Sequence, residues 1–208
     1  DPLLTLRPIS STQNTELQNN CGRTGGANKL GVNKIDFGDL AKPGQIPWAA
    51  ALESFGRTRL CSASLISSRH ALTAAHCVMD RDKCGACSAG FRTRECDELP
   101  YAERATDPAK WTVAYGGHCN IRVGVRTIAW DDRFAEHCVF YDVAIVEFEK
   151  DIEFDYEFGS IVPVCLADST FEVDDVIATF FGYGMVADDN NSEAHSLHSQ
   201  LRYGVARH

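Results

Sequence analysis

Short apolar runs separated by polar or glycine-bearing turns set the strongest limit on what this chain can fold into. "PWAAALES" (47–54), "LCSASLISSRHALTA" (60–74), "WTVAYGG" (111–117), "IRVGVRTIAW" (121–130), "DVAIVEF" (142–148) and "VIATFFGYG" (176–184) each read as one strand or two. Helix signals are few and strands do not alternate with helices, which predicts an all-β sandwich or barrel. Residues 1–34 are polar and rich in Asn, Thr, Ser and Gly, and read as a mostly irregular leader. Met79 to Lys110 reads as a long polar insert, its Cys-rich body at 80–110, stapled by Cys84, Cys87 and Cys96.

Composition narrows the function. A formal net charge of −9 argues against a nucleic-acid partner, because neutralising phosphates needs a surplus of Lys and Arg. No run of about 18 apolar residues occurs, so no membrane-spanning helix is expected. Nine cysteines in 208 residues suit an oxidising, extracellular compartment, and Asn190-Asn191-Ser192 offers a glycosylation site at Asn190. The odd count leaves at least one cysteine free or paired outside this sequence. The chain opens on Asp1-Pro2 rather than Met, as a processed form or a fragment does.

For chemistry, the strongest pair is His76 with Asp142. Histidine serves as a general base near neutral pH only in the right tautomer and orientation. An aspartate accepting from the ring's Nδ1–H fixes both. "YDVAIVEF" places Asp142 at the head of an apolar strand, where the carboxylate is expected to be held away from water. The spacing alone carries little weight, since most His and Asp residues are structural or solvated.

The local sequences carry more. "LTAAHC" followed by "YDVAIVEF" resembles the trypsin-like (chymotrypsin-fold, peptidase family S1) serine proteases. "AKPGQIPWAAAL" (41–52) is similar to the family's first strand. "LCSASLIS" (60–67) resembles its Cys-Gly-Gly-Ser-Leu-Ile segment, with Ser62 and Ala63 in place of the two glycines. "IVPVCLAD" (161–168) resembles the connector between its two barrels, and "FGYG" (181–184) its Thr-Gly-Trp-Gly turn. The resemblance implies a trypsin-like double β-barrel: a complete first barrel over 35–160 that carries the insert at 80–110, and a connector with part of a second barrel over 161–208. It implies a secreted endopeptidase acting on proteins or peptides, with His76 as general base and Asp142 as its orienter. No cofactor is implied, no acidic cluster suited to calcium is present, and disulfides are favoured over metal for Cys84, Cys87 and Cys96.

The serine expected in Gly-Asp-Ser-Gly-Gly does not occur in the 208 residues. Ser192, Ser196 and Ser199 lack the flanking glycines whose N–H groups would build an oxyanion hole. The residues that would set substrate preference are also absent. The 208 residues alone are therefore expected to be inactive. Either a C-terminal segment of an active protease is missing, or the chain is naturally short, a non-catalytic homologue that binds a protein partner. Uncovered sheet edges favour the first.

The resemblance further implies activation by a cut after Lys34, with Ile35 as the new N-terminus; Asp36 and Phe37 depart from the family's Val and Gly. It implies a disulfide Cys61–Cys77 bracketing the histidine loop and a leader tether Cys21–Cys165. Cys119 and Cys138 flank neighbouring strands and are candidates for a further bridge. His70 reads as a turn residue; His118, His137, His195, His198 and His208 read as exposed. Trp48 and Trp111 read as core anchors.

Overall fold

The computed structural model describes residues 6–24, 39–54, 60–79, 106–116, 119–131, 133–134, 141–168, 170, 177–183, 185–186, 196–197 and 201–207. Most of the Cys-rich insert, the Lys34–Ile35 bond, Asn190 and Cys138 lie outside these residues, as do the five histidines read as exposed. Strands β2 (Ala49–Ser54), β3 (Leu60–Leu65), β4 (His70–Thr73), β5 (Trp111–Tyr115), β6 (Ile121–Trp130) and β7 (Ala144–Phe148) close into one antiparallel barrel in the order β2-β3-β4-β7-β6-β5. Closure removes the unpaired edges that a flat sheet would expose.

Alternation along the strands builds two cores at once. Ala50 and Leu52 of β2 point into the barrel with Trp111, Val113, Val146 and Phe148. Ala49 and Ala51 point the other way, into a second cluster with Ile46, Ala114, Cys119, Tyr183 and Leu201. Alanine at these outward positions lets a second sheet come close without a void. That sheet holds β1 (Asp39–Leu40), β11 (Arg202–Arg207) and β8 (Ile177–Gly182), in the order β1-β11-β8. β1 thus pairs across to β11 rather than joining the barrel, although it lies in the 35–160 range. Strands β9 (Met185–Val186) and β10 (Ser196–Leu197) form a separate antiparallel pair. The architecture is all-β, with one complete barrel and part of a second.

The two sheets meet at Ser62. Its Oγ accepts from Tyr183 N at 2.8 Å and donates to Tyr183 O at 3.3 Å. A Cβ on Gly182 would lie 2.7 Å from that same oxygen, so only glycine allows this approach.

The leader is not irregular throughout. Residues Ser11–Asn20 form helix α1, started by a capping box in which Ser10 and Gln13 satisfy one another's backbone N–H groups. α1 buries no residue, so it carries no apolar stripe by which sequence reading finds a helix. Trp111 is a core anchor at 2% exposure, whereas Trp48 is half-buried against both clusters. His70 is not a turn residue: it opens β4, half-buried, with its Nδ1 2.9 Å from Ser67 Oγ. Burial pushes its pKa down, partly opposed by the charge of Glu147.

Candidate active site

His76 sits on a single helical turn, α2 (Ala75–Val78), which follows β4 directly. Ala75, Cys77 and Val78 are buried, which leaves His76 as the one residue of the turn facing solvent. Cys77 is bonded to Cys61 of β3, so the turn is fastened to the barrel wall beside the histidine. Asp142 lies two residues before β7, after Tyr141, whose φ of 62° is left-handed and turns the chain sharply. Val143 N donates to Tyr141 O at 2.7 Å across that turn. The Arg133 guanidinium stacks 3.8 Å over the Tyr141 ring and is itself paired with Asp131. Hydrogen bonding to Asp131 raises the Arg133 pKa, and the same contact lowers that of Asp131.

Asp142 grips His76 at two points. Oδ1 accepts from the His76 backbone N–H at 2.9 Å, and Oδ2 lies 2.7 Å from His76 Nδ1. With Oδ2 as acceptor, the proton of the neutral ring belongs on Nδ1, and the lone pair of Nε2 is left for a reacting group. The carboxylate is less secluded than its place at the head of an apolar strand suggests. The Asp142 side chain is 34% exposed and that of His76 is 47% exposed. Val143 and Phe180 beside it are also about half exposed, at 50% and 53%. Together with Ser62, Thr73, Asp142 and Thr179 they line an open groove of about 390 Å³ between the barrel and β8.

The leader tether is present as Cys21–Cys165, and Gly22 N donates to Pro163 O at 2.8 Å next to it. Cys119, a candidate for a bridge to Cys138, is instead a buried free thiol 2.8 Å from the Tyr183 hydroxyl. It belongs to the cluster between the two sheets, where burial pushes its pKa up. Among the described residues, the sulfurs of Cys61 and Cys77 and a ring nitrogen of His76 lie close enough to suggest a metal site. The disulfide uses both thiolates, so this group does not fit a metal ion.

Sequence reading missed two arrangements. One is the Arg133–Tyr141 stack, which no local pattern announces. The other is Glu147, fully buried and shared by Arg126 of the barrel and Arg7 of the leader. Glu147 stands on the outward phase of β7, where an acid is normally solvated, so nothing local marks its burial.

Comparison with known proteins matches residues 35–205 to the Trypsin family model. The chain is 31% identical over 154 residues to the human atrial natriuretic peptide-converting enzyme, covering 70% of this chain and 12% of that protein. It is 28% identical over 192 residues to human testisin, covering 86% of this chain and 51% of that protein. To the mouse transmembrane protease serine 11E it is 25% identical over 205 residues, covering 95% of this chain and 42% of that protein. The chain thus spans about half or less of the length of these relatives.

Proposed function

Since the chain belongs to the trypsin family of serine proteases, we propose that His76 and Asp142 are the base and the orienting carboxylate of a peptide-bond hydrolase. The observation that carries this reading is the two-point grip, Oδ1 on His76 N–H and Oδ2 on Nδ1. Held so, His76 takes the proton of a serine hydroxyl through Nε2 as the oxygen attacks the substrate carbonyl carbon. Asp142 stabilises the imidazolium, which then returns the proton to the leaving amine. The substrate is a protein or peptide.

The 208 residues carry no Gly-Asp-Ser-Gly segment. By themselves they provide neither nucleophile nor oxyanion donors, and they do not turn over peptides. The protein is secreted or extracellular, a placement supported by its disulfides. Among the described residues no helix is long and apolar enough to cross a membrane. Residues 1–34 are a leader retained through Cys21–Cys165 after a cut between Lys34 and Ile35. A fluorophosphonate probe tests the inactivity of the 208 residues: the chain should gain no mass from the reagent, and stoichiometric labelling at any serine would overturn that part of the proposal.

A further inference from the structure

Along β7, Ala144, Val146 and Phe148 point into the barrel core, so Glu147 points outward. An acid there should meet water, yet Glu147 is 0% exposed. Arg126, at the irregularity between Val125 and Thr127 on β6, covers one side and donates to both carboxylate oxygens, at 2.7 and 2.9 Å. The leader covers the other. Arg7 donates to Glu147 from its backbone N–H at 2.8 Å and from Nε, and its Nη2 donates to Phe148 O at 3.0 Å. Next to it Arg69 Nη1 donates to Pro8 O at 2.7 Å, while the rest of that guanidinium grips Asp151. Gln13 then reaches Asp151 at 2.8 Å and Ser68 Oγ at 3.3 Å.

The leader thus meets a surface of paired charges and backbone carbonyls. α1 fully buries no residue, and Leu6, Ile9 and Leu17 of the leader are only partly buried, Ile9 and Leu17 lining a groove with Ile152, Phe154 and Tyr156, so apolar contact supplements the polar links. Removing the leader would leave a carboxylate with one cation where it now has two, and would uncover it to solvent. Charge-assisted, bidentate contacts of this kind are the stronger sort of hydrogen bond.

We propose that the barrel face formed by Ser68, Arg69, Glu147, Phe148 and Asp151 is a docking surface for the Arg7–Gln13 segment of this chain, and that the contact persists after both covalent links between leader and barrel are broken. Those links are the chain through 25–38 and the Cys21–Cys165 bridge. The proposal stands whether or not the bond after Lys34 is cut in nature.

The test uses the full chain carrying Cys21→Ser and Cys165→Ser, with one sequence-specific cleavage site inserted between Gly25 and Gly26. After cutting, native mass spectrometry should find the leader still bound. Arg7→Gln should speed its release at least ten-fold, whereas Arg23→Gln, whose guanidinium among the described residues reaches only Asn19 O, should not. A leader that leaves at once with Arg7 intact, or a release rate indifferent to Arg7→Gln, overturns the proposal. Amide hydrogen exchange on the uncut chain with both bridges intact gives a second test that does not depend on the cut form folding. Arg7→Gln should accelerate exchange at Asn14 and the amides that follow it in α1 at least ten-fold, and unchanged exchange there would equally refute it.

Discussion

Glu147 should dominate the acid sensitivity of this fold. Burial alone would raise its pKa, but hydrogen bonds from Arg126 and Arg7 outweigh burial and bring it from an ordinary 4.5 down to about 2. A depressed carboxyl contributes stability that is complete above its unfolded value and disappears as pH falls towards its folded one. The window therefore runs from about 4.5 down to about 2. At about 1.4 kcal/mol per pH unit, the displacement corresponds to about 3 kcal/mol, a large part of a typical domain's stability. The check is a series of urea unfolding curves between pH 6 and pH 2 for the wild type and for Glu147→Gln. The variant should be less stable at pH 6 by a few kcal/mol, and the two curves should converge as pH falls. Asp151, lowered by its hydrogen bond to Arg69, titrates in both proteins and drops out of the difference to first order. Parallel curves would refute the reasoning, because they would mean that the Glu147 charge does no more in the folded state than in the unfolded one.

Two further outcomes follow from the cores. Phe148 is fully buried in the barrel, and Phe148→Ala should cost about 3–5 kcal/mol by denaturant midpoint; a cost below about 1 kcal/mol would contradict the described interior. The Cys119 thiol, buried beside Tyr183 and Ala114 O, should resist iodoacetamide at pH 8 in the folded protein and react once it is unfolded. Mass mapping of its peptide reads this directly, and alkylation in the folded state at the rate of an exposed thiol would contradict it.

The barrel was legible because its signal is local: runs of four to ten residues whose period matches a pleated strand. The family motifs around His76 and Asp142 were legible for the same reason, since each lies within a few consecutive residues. What stayed hidden depends on tertiary contact. α1 has no apolar face, so only its Ser10–Gln13 capping box marks it, and that short pattern is easily passed over. Cys119 could be placed between sheets only once Ala114 and Tyr183 were known to meet there. Tyr141, the residue before Asp142, takes a left-handed turn that nothing in that aromatic residue foretells. Ser62 stood out as a departure from glycine, but its partner Tyr183 is 121 residues away.

The claim that Asp142 prepares His76 as a base meets its most direct test in the ring itself. Nitrogen-15 NMR of the labelled chain, at a pH where the ring is neutral, reports which nitrogen carries the proton. The proton should sit on Nδ1, held by Asp142 Oδ2 at 2.7 Å, and move to Nε2 in Asp142→Asn. An Nε2–H tautomer in the wild-type chain would contradict it, because the nitrogen meant to accept a proton would already hold one.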